Sequence, residues 1–404
     1  MSLLRKDRWQ NIEHLALLEG GKNYFPTLED SLAKAQKSIY LEAYIFSADE
    51  QAKRIADLLS SAALRGVEVK VMIDWLGSSP FMFTRQFSEA GVQLTYYNPA
   101  WFGRFGFSRT HRKLVVIDEL EAFVGGINIC ADDQTADGRL LSGLRWDLSL
   151  KTTWKIVEKV HATFLRQWQR MQPNALHPRN ILKRILDQEL PWNSSHFLGI
   201  RHDQKESLAF IARDNLHHRR DIERAYLKAI GQSREEIWLV TPYFMPGRRF
   251  RKALIRAAER GVAVNLLLGR DEFRVLNWSV PSLYGQFLAA NINIYEYPLG
   301  LLHAKAMVVD RRWATLGSSN CDHLSFLLNH EANLVIRNHP VVKEIRLKIE
   351  EQALEKGIKV DSDLYSRRPF MTKVFNWVSY GFVRLLLVFL TVGTRDRAMP
   401  NLGD

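Results

Sequence analysis

The chain has 404 residues, a length that corresponds to two or three domains of about 150 residues each. Its 46% hydrophobic and 25% charged residues form a globular composition and exclude global disorder. The net charge of +12 indicates an anionic partner, such as nucleic acid, an acidic lipid surface or a phosphorylated substrate. Two cysteines, Cys130 and Cys321, exclude a disulfide framework and a four-thiolate zinc site, and we expect both thiols to be free and buried.

Five segments occur twice in the same order, which identifies the chain as two copies of one unit. Each copy has a β-rich run, a helical stretch ending in Arg-Gly, and then further apolar strands. This alternation predicts two α/β domains of one fold with largely buried mixed sheets. The matched pairs are Lys37–Phe46 with Glu235–Phe244, Ile55–Asp74 with Phe250–Gly269, Ala90–Tyr97 with Ala290–Tyr297, His111–Asp118 with His303–Asp310, and Phe123–Asn128 with Leu316–Asn320.

The repeat sets the expected domain boundaries. We place the first domain at residues 1–172 and the second at 207–360. Residues 173–206 form a connector, because its prolines break any long helix there. Residues 361–404 form a C-terminal tail.

The fourth segment carries the pattern H-x-K-x4-D in both copies. Residues two apart on a strand share a face, so each histidine should point the same way as its lysine. A neutral imidazole beside a fixed cation is suited to attack on a phosphoryl group, and two copies allow the nucleophile and the leaving-group acid to be different histidines. The motif residues are His111, Lys113 and Asp118 in the first copy and His303, Lys305 and Asp310 in the second.

Small residues and an asparagine follow each motif. Gly126 and Asn128 in the first copy, and Ser318 and Asn320 in the second, allow close backbone approach and offer donors to phosphate oxygens. A tight turn is the alternative interpretation of these residues when they are considered alone. Their position directly after both motifs favours a substrate-binding role.

The paired motifs, each followed by Gly-Gly or Gly-Ser and then Asn, resemble those of the phospholipase D superfamily over most of Lys37–Glu331. Within that superfamily the chain resembles the bacterial cardiolipin synthases of the shorter subtype without N-terminal transmembrane helices. The segments that carry this closer resemblance are Leu41–Phe46, Arg213–Leu227, Thr241–Gly247 and Trp313–Leu334.

The resemblance implies two pseudo-symmetric α/β domains, with mixed sheets flanked by helices and the active site at their interface. It also implies phosphatidyl transfer through a covalent phosphatidyl-histidine, with His111 as the nucleophile and His303 as the acid and base. Conversion of two phosphatidylglycerols to cardiolipin and glycerol is the favoured reaction. Phosphatidylethanolamine as donor, glycerol as acceptor, and plain hydrolysis stay open.

The resemblance further implies an orienting carboxylate downstream in each half that contacts the histidine of the other half. Glu331 and Asp147 are the candidates, and we expect Asp118 and Asp310 to be structural rather than acid or base. No metal or other cofactor is required, because the lysines supply the positive charge. The residues expected to hold the phosphate are Lys113, Lys305, Asn128 and Asn320.

Two apolar segments favour a lipid over a nucleic acid as the partner. Pro99–Phe107 carries four aromatic residues, which can stack on bases or enter the headgroup region of a membrane. Trp377–Val392 contains Arg384 and is shorter than the roughly 20 residues that cross a bilayer. It is typical of an interfacial helix, with packing on the protein's own surface as the alternative.

We therefore predict phospholipid substrates, an anionic membrane surface as partner and no nucleic acid. The expected location is peripheral, on the cytoplasmic side of the cell membrane. A nuclease of the same superfamily and a non-catalytic lipid-binding module are the alternatives. An eroded motif would favour the binding module, but both motifs are intact.

Overall fold

The computed structural model describes residues 9–99, 108–135, 138–153, 155–172, 205–214, 218–270, 278–322 and 329–395, with the backbone alone for 384–395. Most of the expected connector and the aromatic segment 100–107 lie outside these ranges.

Two mixed β-sheets, one from each half of the chain, form the frame of the molecule. The strands of the first sheet are β1 (Leu15–Glu19), β2 (Ser38–Ala43), β3 (Glu68–Asp74), β4 (Gln93–Tyr97), β5 (Leu114–Ile117), β6 (Glu121–Gly125) and β7 (Leu148–Thr153). The later strands are β8 (Ser207–Arg213), β9 (Glu236–Thr241), β10 (Phe244–Met245), β11 (Ala263–Gly269), β12 (Asn293–Tyr297), β13 (Ala306–Val309), β14 (Trp313–Gly317), β15 (Cys321–Asp322), β16 (Glu331–Arg337) and β17 (Ile358–Lys359).

The two sheets have the same strand order. The first runs β1-β7-β6-β5-β2-β3-β4, and the second runs β8-β16-β14-β13-β9-β11-β12 with β17 added at the end. In both, three parallel strands are followed by antiparallel ones, and β10 pairs separately with β15. The matching topology confirms the two α/β units of one fold that the repeat predicts.

Helices flank both sheets. In the first half they are α1 (Gly20–Lys34), α2 (Glu50–Leu64), α3 (Thr84–Ala90) and α4 (Ile156–Met171). In the second half they are α5 (Asp221–Gln232), α6 (Arg248–Glu259), α7 (Tyr284–Leu288), α8 (Pro340–Glu351), α9 (Ser362–Ser366) and α10 (Phe370–Arg395). A 3₁₀ turn at Val280–Leu283 precedes α7, and a π-helical turn at Gln352–Lys356 follows α8.

The Arg-Gly pairs end their helices as the sequence predicts. After α2, Gly66 has φ +90°, and after α6 the equivalent Gly261 has φ +87°. These left-handed conformations are favourable for glycine, so the chain can reverse there into the parallel strands β3 and β11.

Three hydrophobic clusters hold the layers together. One lies between the two sheets and includes α4 and α8, for example through Phe164 and Ile345. Helices α1 to α3 pack on the outer face of the first sheet, and α5 to α7 on the outer face of the second. Cys130 and Cys321 are buried free thiols, as the sequence predicts. The central cluster joins the halves and fixes how their strand ends meet.

The apolar tail segment forms α10, which begins at Phe370, seven residues before the predicted start. Its Asn376 and Val383 are buried, whereas Trp377 and Phe382 are 72% and 62% exposed. Among the residues that the structure describes, no helix is both long and apolar enough to cross a membrane.

Candidate active site

Each H-x-K sequence lies just before a strand rather than on it. Strands β5 and β13 begin at Leu114 and Ala306, one residue after each lysine. The backbone of these segments bonds to the opposite half at the histidine and to its own sheet only at the lysine, whose carbonyl accepts the N–H of Gly125 or Gly317. The His111 N–H donates to the His330 carbonyl at 2.9 Å, and the His303 N–H donates to the Trp146 carbonyl at 2.8 Å.

Two isolated parallel bridges bring the halves together at the motifs. Thr110 pairs with His330, and Trp146 pairs with Leu302. In each bridge, one partner is followed in the sequence by a motif histidine, and the other partner is followed by an acidic residue. The topology therefore places His111 beside Glu331, and Asp147 beside His303, with each pair crossing between the halves.

His111 is held by a carboxylate from the second half. Its Nδ1 lies 3.1 Å from Glu331 Oε2 and 3.1 Å from the carbonyl oxygen of Ser318. The Ser318 hydroxyl donates a short hydrogen bond to the same Glu331 oxygen. Both acceptors fix the proton on Nδ1, so Nε2 of His111 carries the lone pair needed for nucleophilic attack.

His303 is held by a carboxylate from the first half. Its Nδ1 lies 2.5 Å from Asp147 Oδ2, and Asp147 Oδ1 accepts the Leu148 N–H at 2.7 Å. Gly126 stands where the second half has Ser318. A Cβ at Gly126 would lie 2.2 Å from Asp147 Oδ1, so only glycine leaves room for this carboxylate.

The two carboxylates differ in their proton affinity. Burial favours a raised pKa for Glu331, but His111, Lys113 and the Ser318 hydroxyl outweigh it and hold the pKa below its usual range. Burial raises the pKa of Asp147 to about 7, against the opposing charge of Lys305. The lowered pKa favours the anionic form of Glu331 at neutral pH, whereas burial favours a proton on Asp147.

Both imidazoles are neutral at pH 7. Burial and then Lys113 lower the pKa of His111, although Glu331 opposes them. Burial and the charges of Lys305 and Lys113 hold the pKa of His303 well below its usual value. One neutral imidazole can act as a nucleophile, and the other can exchange a proton with an alcohol.

The lysines supply positive charge between the histidines. Lys113 Nζ donates to the His111 carbonyl at 2.8 Å, and Lys305 Nζ donates to the His303 carbonyl. Burial, with the nearby charge of Lys305, lowers the pKa of Lys113 to about 7. An anionic phosphodiester placed here stabilises the charged form of Lys113. Within the described ranges, no group of three His, Cys, Asp or Glu residues is arranged to hold a metal ion.

The aspartates that complete the two motifs lie at the far ends of β5 and β13. Each carboxylate accepts several backbone N–H groups, those of Gln36 to Ser38 for Asp118 and those of Arg234 to Glu236 for Asp310. These bonds tie each strand end to the start of β2 or β9. The contacts agree with the expected structural role.

The small residues after the motifs surround the same site. Asn128 and Asn320 are buried, and Asn128 Oδ1 accepts the Ile45 N–H at 3.3 Å. Ser318 is fully buried and directs its hydroxyl to Glu331. Its side chain therefore supports the carboxylate rather than pointing an open donor at a substrate.

Sequence reasoning missed one side chain of the site. Tyr44 follows the parallel strand β2, and its ring lies 4.9 Å from the His111 ring and 5.2 Å from Lys113 Nζ. Ligands in α/β folds bind beyond the carboxyl ends of parallel strands, which is the signal that indicates this position. Tyr44 covers one side of the first histidine-lysine pair.

The family model described as "Cardiolipin synthase, PLD-like domain" matches residues 28–168 and 226–352. The chain is 32% identical to Cardiolipin synthase B of Salmonella typhimurium over 383 residues, 93% of this chain and 89% of the relative. It is 31% identical to Cardiolipin synthase B of Escherichia coli over 387 residues, 94% of this chain and 90% of the relative.

Solved structures share the fold. The phosphatidylserine synthase of Haemophilus influenzae has a TM-score of 0.69 at 14% identity and covers 95% of this chain and 96% of its own. The polyphosphate kinase of Porphyromonas gingivalis has a TM-score of 0.55 at 16% identity, covering 94% and 54%. With a family match in each half and relatives above 30% identity over nearly its whole length, the chain belongs to the cardiolipin synthase family with phospholipase D-like domains and is an enzyme of the phosphatidyltransferase class.

Proposed function

We propose that the chain is a cardiolipin synthase that moves a phosphatidyl group between two phosphatidylglycerols and releases glycerol. One observation carries this proposal: His111 and His303 are both buried and neutral, each stands beside a lysine, and each is oriented by a carboxylate of the other half. The relatives named as cardiolipin synthases support the choice of lipid. Phosphatidylethanolamine is the alternative donor.

In the first step, His111 Nε2 attacks the phosphorus of the donor lipid. The bond from phosphorus to the glycerol headgroup oxygen breaks, and His303 Nε2 gives that oxygen a proton while Nδ1 takes up the proton of Asp147, so the imidazole stays neutral. Glycerol leaves, and the phosphatidyl group is joined to His111. Asp147 lies 2.5 Å from His303 Nδ1, and burial raises the pKa of Asp147 to about 7, so this carboxyl can resupply the proton that His303 donates.

In the second step, the headgroup hydroxyl of another phosphatidylglycerol replaces the departed glycerol. His303 Nε2 removes the hydroxyl proton while Nδ1 returns a proton to Asp147, the oxygen attacks phosphorus, and the bond to His111 breaks. The product is cardiolipin, and His111 returns to its neutral state. Lys113 and Lys305, with Asn128 and Asn320, hold the non-bridging oxygens in both steps, because buried donors stabilise charge more strongly than water-exposed ones.

The reaction is tested by incubating the purified protein with phosphatidylglycerol in mixed micelles and resolving the products by mass. We expect cardiolipin and glycerol in equal amounts. Parallel incubations with added phosphatidylethanolamine or glycerol identify other donors and acceptors. Phosphatidic acid as the sole product would make the protein a hydrolase, and cleavage of DNA without lipid turnover would replace the proposal with a nuclease.

We also propose that α10 binds the surface of an anionic membrane, with the protein peripheral on its cytoplasmic side. The buried Asn376 and Val383, with the half-buried Tyr380 between them, form one stripe that packs on the second half. Among the side chains of α10 that the structure describes, the other apolar ones are partly or largely exposed, and Phe375 also contacts the Trp278 ring. These side chains are Phe370, Met371, Val374, Phe375, Trp377, Val378 and Phe382, which are 37% to 76% exposed.

Replacing Trp377, Val378 and Phe382 together by serine should weaken binding to anionic vesicles at least tenfold. Each side chain contributes roughly 1.5–3 kcal/mol when fully withdrawn from water, so partial insertion of three suffices for this loss. Co-sedimentation with vesicles is the measurement, and high salt should weaken the wild-type binding further. Turnover in detergent micelles should not change.

The matched control is Leu64→Ser, which removes an apolar side chain that is 73% exposed at the end of α2. It should bind vesicles like the wild type. Equal co-sedimentation of the triple variant and this control would refute membrane binding by α10.

A further inference from the structure

We propose that Glu42 and Arg112 form a positioning pair that holds the His111 segment of the first half against the Glu331 segment of the second. The pair deepens the proposed function, because the geometry it fixes is that of the proposed nucleophile. Glu42 lies on β2, and Arg112 is the middle residue of the first H-x-K sequence. Neither side chain is used by the mechanism above.

The pair is buried and its members contact each other. Glu42 is 1% exposed and Arg112 is 2% exposed. Arg112 Nη1 lies 3.9 Å from Glu42 Oε2, and the Thr110 hydroxyl donates a short hydrogen bond to Glu42 Oε1. Glu42 therefore contacts the residues on both sides of His111.

Arg112 extends from this pair into the second half. Its Nη2 donates to the Arg213 carbonyl at 2.9 Å, and its Nε donates to the Glu331 carbonyl at 3.4 Å. These two carbonyls belong to β8 and β16, whose register places Arg213 opposite Glu331. One guanidinium thus binds both strands at the residue whose carboxylate orients His111.

The second repeat lacks both members of the pair. Val240 stands at the position of Glu42, and Ala304 stands at the position of Arg112. Burial raises the pKa of Glu42, and Arg112 opposes that shift. A buried ionisable group without a partner is costly, so the two side chains are expected to be present or absent together. The comparison within one chain indicates that Glu42 and Arg112 act as a unit, and that only the His111 side of the site uses them.

The planar guanidinium group, with several N–H donors, supports a positioning role for Arg112. Its separate N–H groups can fix two carbonyls while its charge faces Glu42, which a single ammonium cannot do in the same geometry. The contact that depends on this is the 3.1 Å distance from His111 Nδ1 to Glu331 Oε2. Displacement of about 1 Å at such a contact is enough to reduce a rate about 100-fold.

The test uses the second repeat as the template for substitution. Glu42→Val and Arg112→Ala are each expected to lower Tm by about 5 °C or more, since each leaves a buried ionisable group without its partner. The double variant, which copies the Val240 and Ala304 pair, should recover at least half of that loss. Its kcat for phosphatidylglycerol turnover, counting transfer and hydrolysis together, should nevertheless stay at least tenfold below the wild type, with KM within about twofold.

Arg112→Lys separates charge from geometry. It keeps a cation beside Glu42 but loses the hydrogen bonds to the two carbonyls, so Tm should fall less than in Arg112→Ala while kcat falls at least tenfold. The control is Arg346→Met, which breaks a largely buried ion pair with Glu236 away from the site. That variant should lose Tm and retain kcat.

A readout that does not need turnover is the ¹⁵N chemical shift of the His111 ring. It reports whether Nδ1 carries the proton, and it should move in the double variant and in Arg112→Lys but not in Arg346→Met. If the wild type does not make cardiolipin, the ring shift and the recovery of Tm in the double variant can still be measured. The positioning role and the proposed reaction can therefore fail separately. The proposed positioning role would be refuted if the double variant kept the wild-type kcat and ring shifts. It would also be refuted if the Tm of the double variant were as low as that of the less stable single variant.

Discussion

His111→Ala and His303→Ala are each expected to lower phosphatidyl turnover at least about 10³-fold, because nucleophilic and proton-transfer functions are both lost from the chemical steps. The two histidines lie in different halves and are held by different carboxylates, so neither can take over the role of the other. The measurement is cardiolipin formation in mixed micelles. His14→Ala, which removes an exposed imidazole, is the control and should keep wild-type activity.

A lipid with a nitrophenyl headgroup distinguishes the two roles. Its leaving group needs no protonation, so His303→Ala should release one equivalent of nitrophenol per enzyme and then stall, since no base activates the acceptor. Mass spectrometry should find the phosphatidyl group on His111. His111→Ala should show no burst. A burst in His111→Ala with the label on His303 would reverse the assignment, and more than a few per cent of turnover in either variant would contradict the two-histidine mechanism.

Glu331→Gln and Asp147→Asn are each expected to lower kcat by about 10²- to 10⁴-fold with the fold preserved. An amide in place of Glu331 can donate to His111 Nδ1, which moves the proton to Nε2 and blocks the nucleophile. An amide in place of Asp147 cannot exchange a proton with His303 Nδ1, so His303 can no longer act as acid and base in turn. Steady-state kinetics and Tm are the measurements. The exposed carboxylate of Asp30 provides the control, because Asp30→Asn removes only a surface ion pair with Lys34.

The pH dependence of Glu331→Gln gives a second signature. Burial and Lys113 lower the pKa of His111, and Glu331 opposes them. Removing the Glu331 charge lowers that pKa further, so the acid limb of kcat/KM, where His111 becomes protonated, should move to lower pH. If the acid limb stays at the wild-type pH, Glu331 does not influence the pKa of His111.

The sequence by itself determined the fold class and the residue types of the site. The order of matched segments predicted two α/β units, because helix and strand periodicities and the Arg-Gly helix ends are local properties. The H-x-K-x4-D spacing identified both histidine-lysine pairs, and Glu331 and Asp147 were named through the family resemblance. The predicted start of the tail helix was seven residues too late, because Phe370 to Asn376 carry a mixed pattern that does not mark a helix start.

The residue pattern alone did not determine which groups meet, and the contacts across the halves were expected only through the family resemblance. The bridges at Thr110 and Trp146 pair each histidine segment with the other half, and such contacts join residues more than 150 positions apart. Periodicity and short motifs carry no information on contacts between residues so far apart in the sequence. The same holds for protonation, because burial raises the pKa of Asp147 while the groups around Glu331 lower that of a similar carboxylate. Two similar repeats thus acquire different chemistry through the surroundings that the fold gives them.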